Sequence, residues 1–176
     1  MARRSSRLLF WWVAGGVIVF DFVTKQLAVA QLSNGAPVYL VGRWLSLRLV
    51  HNPGAAFGIH VGPYSRWVFM ILAIVALVVL GAMVRQTAPA QRFRLFTLGM
   101  VCGGAVGNLI DRLTSSEGVV DFIDVWIGTF HWPTFNVADM AVSCGAIALA
   151  SALWSEGKQD KATAGEPANP QEVSTL

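Results

Sequence analysis

From Trp67 to Val84 the chain carries no charged residue, and Arg66 and Arg85 close that run at its two ends. At ~1.5 Å of rise per residue, a helix of this length covers nearly the whole ~30 Å hydrocarbon core of a bilayer. An ordinary soluble domain does not contain such a segment, and the composition agrees. Of 176 residues, 55% are hydrophobic and only 13% charged, with a mean hydropathy of +0.56. The length excludes several domains. Three further apolar stretches run from Leu8 to about Ala30, from about Phe93 to Leu113 and from about Phe135 to Trp154. The expected fold class is therefore an all-α membrane protein. Its four transmembrane helices lie near residues 8–30, 67–84, 93–113 and 135–154, within one unit over residues 1–154.

Basic residues remain on the cytoplasmic side of short loops. Arg3, Arg4, Arg7, Arg85, Arg92, Arg94, Lys158 and Lys161 fall on one side of a four-span chain, against Arg43, Arg48 and Arg66 on the other. Both termini are thus expected in the cytoplasm. The N-terminal segment also imitates a signal peptide ending at Ala28-Val29-Ala30, but Asp21 and Lys25 interrupt it where such a segment is uncharged, so it is read as a retained helix. In the first outer loop Leu45, Leu47 and Leu49 alternate with Ser46 and Arg48, which predicts a small amphipathic sheet. The second outer loop, Thr114 to Pro133, carries Trp126, Phe130 and Trp132, residues suited to the headgroup level. Residues 155–176 turn to Glu, Lys, Gln, Ala and Pro and are expected to form a disordered cytoplasmic tail. The net charge of +3 does not imply nucleic acid, because the arginines flank apolar runs and do not interleave with aromatics on a polar face. Cys102 and Cys144, each inside an apolar stretch, read as small packing residues.

Charges inside a bilayer cost at least ~2.5 to 3.5 kcal/mol each and need a reason. The first span carries Asp21 and Lys25, four apart and on one face. The third ends with Asn108, Asp111 and Arg112, and the fourth opens with Asn136 and Asp139. A structural ion pair accounts for Asp21 and Lys25 taken alone. With the first helix starting at Leu8, however, Asp21 lies about 20 Å and Lys25 about 26 Å across the membrane, toward the outer side where the other two clusters lie. Three helices aiming polar groups at one depth point to a site opening outward, with Asp121 and Asp124 of the loop close in sequence to it.

His51, His60 and His131 have no ligand spacing, so no metal is expected, and Ser143 in Ala-Val-Ser-Cys-Gly is not a nucleophile elbow. Carboxylates remain. Two held close together cannot both ionise easily, so one keeps a proton and the other acts as base. Such a pair hydrolyses a peptide bond through water, with no cofactor. A small ion-coupled membrane transporter is the alternative, since intramembrane Asp, Lys and Arg also mark ion pathways. Against it, the inner halves of the second and fourth spans are apolar. A non-catalytic assembly subunit is a third possibility, and it would tolerate loss of one carboxylate.

Five motifs occur in order: Asp21-Phe-Val-Thr24-Lys25, Asn52-Pro-Gly54-Ala-Ala-Phe57-Gly58, Gly103-Gly104-Ala-Val-Gly107-Asn108-Leu-Ile-Asp111-Arg112, Val119-Val-Asp121-Phe122 and Phe135-Asn136-Val-Ala-Asp139. Together they resemble lipoprotein signal peptidase, the type II signal peptidase of bacteria. The resemblance implies an intramembrane aspartyl endopeptidase of the bacterial inner membrane, with its active site facing the outer side. Its substrates would be diacylglyceryl-modified prolipoproteins, cut before the lipidated cysteine. It implies Asp121 and Asp139 as the catalytic pair, with Asp21, Lys25, Asn52, Asn108, Asp111, Arg112 and Asn136 shaping the site or holding substrate. The expected partners are these precursors and membrane lipid, and the expected state is a monomer.

Overall fold

The structure is a computed structural model that describes residues 2–56, 59–60 and 62–164 of the chain. Among these residues, four long helices follow one another: α1 (Ala2–Leu32), α2 (Ser65–Gln86), α3 (Arg92–Thr114) and α4 (Val137–Ala164). Each helix, α2 together with the short turn Gly62–Tyr64 before it, provides a segment long and apolar enough to cross a membrane: residues Arg7–Leu32, Gly62–Gln86, Arg92–Thr114 and Val137–Lys158. Large apolar side chains such as Trp12, Phe20, Ile71, Val78 and Ile147 point out of the bundle. In water that surface would be a liability; in a bilayer it is the lipid-facing exterior.

Helix α3 lies at the centre, packed against α1, α4 and α2. Lipid tails give no hydrophobic drive between helices, so close packing of small residues must hold them. Gly99, Gly103 and Gly107 recur every four residues and form a stripe against α1. A Cβ at Gly99 would lie 3.0 Å from the Phe10 carbonyl oxygen, and one at Gly103 2.8 Å from that of Ala14. Gly104 faces the other way, against the Ala138 backbone and Val142 of α4. The apolar core next to this seam joins Phe10, Ala14, Leu95, Leu98, Cys102 and Leu149, and α2 adds Leu77, Leu80, Met83 and Val84. Cys102 is buried as expected for packing, whereas Cys144 lies on the exposed side of α4.

One end of the bundle carries a four-stranded antiparallel sheet in the order β1 (Val38–Val41), β2 (Leu45–Asn52), β5 (Val119–Ile127), β6 (Phe130–Phe135). A minor ladder, β3 (Ala55–Ala56) with β4 (Ile59–His60), leads to a short turn and α2. The alternation of leucines in the first loop does form a strand: Leu47 and Leu49 pack with Ala28, Leu32 and Phe122. The second loop differs from its sequence reading. Thr114 to Pro133 is largely a hairpin of β5 and β6, so Asp121 sits on a strand and both loops build one sheet. Its β-branched and aromatic residues, Val119, Val120, Ile123, Val125 and Trp126, carried that signal.

Strand β5 is the regular member of this sheet. Four residues of β2 (Leu47 to Val50) span three of β5 (Ile123 to Asp121), and β6 is irregular opposite Ile123–Val125. Side chains alternate along a regular strand, so Asp121 and Asp124, three apart, point to opposite faces. At the far end of the bundle, Glu156 accepts hydrogen bonds from Arg94 at 3.0 Å and Gln91 at 2.9 Å. The segment expected to be disordered from residue 155 therefore begins as helix and continues α4 to Ala164, because Glu, Lys, Gln and Ala are good helix formers and Glu156 is anchored. Residues 165–176 of that expected tail lie outside the described ones, as do Phe57 and Gly58 of the second motif.

Candidate active site

The start of α4 builds the site. Asn136 immediately precedes the helix, and its Oδ1 accepts the backbone N–H of Asp139 at 2.9 Å, while Asp139 Oδ2 accepts the backbone N–H of Asn136 at 3.2 Å. This is a reciprocal capping box, which satisfies two donors that a helix start leaves unpaired. A third, the N–H of Ala138, goes to Asp21 Oδ1 of α1 at 2.8 Å. The positive end of the α4 dipole thus faces two carboxylates, Asp21 and Asp139.

Lys25 is the second organising group. It is 2% exposed, and its three ammonium protons meet three acceptors: Asp21 Oδ2 at 2.7 Å, Asp111 Oδ2 at 2.8 Å and Asn108 Oδ1 at 2.9 Å. A buried ammonium is tolerated only with such full compensation. Asn108 passes the arrangement on, donating from Nδ2 to Asp139 Oδ1 at 2.7 Å. Asp111 Oδ2 also accepts the backbone N–H of Val120 at 3.2 Å, which fastens β5 to α3.

Asp121 enters from β5 and is 2% exposed. Asn52 Nδ2 of β2 donates to its Oδ2 at 3.0 Å, and Asn136 Nδ2 donates to its Oδ1 at 2.7 Å. The amide of Asn136, itself fully buried, also lies within reach of Asn108 Oδ1 at 3.1 Å and Val120 O at 3.2 Å. Burial first, and then the negative charge of Asp139, push the Asp121 carboxyl up to about 7; the Asn52 and Asn136 hydrogen bonds and the Lys25 charge act the other way. Its acid form therefore persists to a much higher pH than that of an ordinary Asp.

Arg112 completes the set. Its Nη1 donates to the Asn108 carbonyl at 3.1 Å, and its guanidinium lies 5.8 Å from the Phe69 ring centroid on α2. It interacts electrostatically with Asp139, Asp121 and Asp111, and its buried Nε has no hydrogen-bond partner among the described residues. All nine residues singled out in the sequence, Asp21, Lys25, Asn52, Asn108, Asp111, Arg112, Asp121, Asn136 and Asp139, thus meet in one polar cluster at the sheet end of the bundle. The sequence reading missed Arg66, whose Nε donates to the Arg112 carbonyl at 2.8 Å. Its place directly before the most apolar span was the available signal. Asp124 stands apart, on the other face of β5, with Ser46, Trp126 and His131. Among the described residues no group of three or more His, Cys, Asp or Glu side chains is arranged to hold a metal ion.

The chain is similar to known proteins in sequence and in fold. The family model described as signal peptidase (SPase) II matches residues 13–155. A lipoprotein signal peptidase of Rhodococcus jostii (strain RHA1) is 44% identical over 149 residues, covering 81% of this chain and 71% of that protein. One of Hydrogenovibrio crunogenus (strain DSM 25203 / XCL-2) is 39% identical over 160 residues, covering 89% and 92%. Among solved structures, a bacterial membrane enzyme determined by the in meso method at 2.3 Å resolution superposes with a TM-score of 0.74 at 29% identity, covering 91% of this chain and 94% of that one. With its four spans, its end sheet and its buried polar cluster, the chain belongs to the signal peptidase II family of membrane peptidases.

Proposed function

We propose that the chain is an aspartyl endopeptidase that removes the signal peptide from diacylglyceryl-modified prolipoproteins, cutting just before the lipidated cysteine, with Asp121 and Asp139 as the catalytic pair. The substrate class rests on the relatives, which carry the name lipoprotein signal peptidase. The observation that supports the mechanism is the link through Asn136: its Nδ2 donates to the Asp121 carboxylate, while its own backbone N–H donates to the Asp139 carboxylate, so one residue contacts both acids.

The raised Asp121 carboxyl is the member that holds the proton, and Asp139 is the base. Asp139 takes a proton from a water whose oxygen attacks the scissile carbonyl carbon, while Asp121 gives its proton to the carbonyl oxygen. The resulting tetrahedral diol collapses as the C–N bond breaks. The amine receives the proton held by Asp139, and Asp121 recovers one from the diol hydroxyl. No cofactor enters. The Nε of Arg112, without a hydrogen-bond partner among the described residues, is a donor available to a substrate oxygen, and Asn108 fixes Asp139 in position. The nearby helix surfaces are apolar, as a signal-peptide helix in lipid requires. The distribution of Lys and Arg supports cytoplasmic termini and a site at the outer side of the membrane, where the lipidated cysteine would lie. The enzyme works as a monomer in this reading.

The test is cleavage of a lipid-modified precursor by purified protein carrying Asp121→Asn or Asp139→Asn. Both changes are nearly isosteric and remove acid-base capacity. Each is expected to abolish turnover, and near-normal turnover in either rejects the mechanism. Chelators are expected to leave wild-type activity intact, so loss restored by a divalent ion would point to metal chemistry instead.

A further inference from the structure

We propose that the face of the sheet opposite Asp121 holds a second site, which binds the phosphate headgroup of an anionic phospholipid. The site is a cavity of about 770 Å³ whose lining includes Tyr39, Arg43, Trp44, Arg48, Asp124 and Trp126. That volume suits a headgroup with its glycerol.

The charge on the walls selects the ligand. Arg43 and Arg48 are exposed and have no ion-pair partner among the described residues. Asp124 makes no ion pair with either arginine among the described residues, because its oxygens bind other groups. Oδ2 accepts from Ser46 Oγ at 3.0 Å and Trp126 Nε1 at 3.0 Å, and Oδ1 lies 2.7 Å from His131 Nε2. The His131 ring in turn stacks on Trp126, with centroids 4.3 Å apart, which fixes that wall. Two guanidinium groups, against one carboxylate in the lining, leave the cavity net positive and present planar forks of donors that match a phosphate.

Depth selects the source of that phosphate. The first membrane span ends at Leu32, and the cavity is walled by Gly35 and Pro37 directly after it. The opening therefore lies at the level where hydrocarbon gives way to headgroups. Tyr39 and Trp44 are 60% and 64% exposed there, as aromatic side chains at a bilayer boundary are. An anionic lipid meets all three conditions: a phosphate for the arginines, a glycerol edge for the aromatics, and acyl chains beside the apolar spans. A headgroup held here would pin the strand that presents Asp121 on its other face.

The experiment uses the full chain reconstituted in vesicles of phosphatidylcholine mixed with phosphatidylglycerol, with retained lipid counted by native mass spectrometry. The wild type is expected to keep phosphatidylglycerol in preference to phosphatidylcholine. Arg43→Gln with Arg48→Gln is expected to weaken that retention by about tenfold or more, and each single change by a few fold. Equal retention in the double variant, or no preference in the wild type, overturns the proposal. Displacement of the lipid by soluble glycerol phosphate at matching concentration reassigns the site to a free phosphate. Displacement by an acidic peptide reassigns it to a polypeptide, and either result overturns the lipid reading. Unfolding temperatures of the variants equal to that of the wild type show that the loss is one of binding. Precursor cleavage plays no part in the measurement, so failure here leaves the peptidase reading untouched.

Discussion

Asn136 and Asp139 cap each other at the start of α4, each side chain accepting the other's backbone N–H, at 2.9 Å and 3.2 Å. The groups that start the helix are the groups that assemble the site. Asn136 spends its Oδ1 on the cap and still reaches Asp121 at 2.7 Å with its Nδ2. Helix geometry and chemistry are therefore coupled through one amide.

That coupling can be separated by substitution. Asn136→Ser keeps a cap oxygen but is too short to reach Asp121, whereas Asn136→Ala removes both functions. The serine variant is expected to hold most of the stability that alanine loses, about 1 kcal/mol. Both are expected to lose on the order of 100-fold in kcat for precursor cleavage. Thermal unfolding and steady-state kinetics on the same preparations check this, and a serine variant with wild-type kcat would exclude the Asn136–Asp121 contact from the mechanism.

The pH dependence follows from Asp121. Its folded carboxyl is raised from 3.8 to about 7. In the proposed mechanism Asp121 is the acid and must carry a proton, so kcat/KM is expected to fall as pH rises through about 7. Asn52→Leu removes a hydrogen bond that favours the ionised form, which moves this limb to higher pH. Stability changes in the same direction. A group with a raised folded-state value contributes fully below 3.8 and loses that contribution as pH rises through about 7. Unfolding temperature should therefore decline across this window in the wild type, and decline less in Asp121→Asn.

Lys25 sits between Asp21 and Asp111 at 2.7 and 2.8 Å. Lys25→Met leaves buried Asp21 and half-buried Asp111 without their cation, a loss on the order of 3 to 5 kcal/mol. Combining it with Asp21→Asn and Asp111→Asn removes the stranded charges and is expected to recover much of the folded protein without full activity. Detergent-solubilised yield and unfolding temperature measure the recovery. A triple variant no more stable than Lys25→Met would show that the ammonium acts through something other than charge balance.

Much of this site was legible because burying charge in lipid is expensive. Asp21, Lys25, Asn108, Asp111 and Asp139 stand out against apolar spans, and their spacing puts them on common faces. The helix count was legible for the same reason. The hairpin of β5 and β6 is only half legible: Val119 to Ile127 has strand-forming residues, but the same aromatics suit an interfacial loop, and pairing with β2 decides between the two. The different surroundings of Asp121 and Asp124 were hidden too, because they depend on which residues of β2 lie opposite. Nor does spacing alone reveal that Asn136 and Asp139 form a cap; that requires the helix to begin at Val137 and not at Phe135.

The glycine stripe of α3 offers a last separation of packing from chemistry. A Cβ at Gly99 would meet Phe10 O and Val13 Cβ at 3.0 Å, far along α1 from the polar cluster. A Cβ at Gly107 would meet Asp21 Oδ2 at 2.6 Å, the same oxygen that binds Lys25. Both alanine substitutions overpack the seam between α1 and α3 and are expected to cost about 1 to 3 kcal/mol. Their effects on turnover should differ. Gly107→Ala displaces Asp21 from Lys25 and from the Ala138 N–H, so the start of α4 shifts and with it Asp139. Gly99→Ala disturbs only apolar neighbours and backbone. At a temperature where both variants are fully folded, kcat should fall at least tenfold for Gly107→Ala and stay near wild type for Gly99→Ala. Equal losses in the two would mean that the whole seam, and not the Asp21 contact, sets the geometry of the pair.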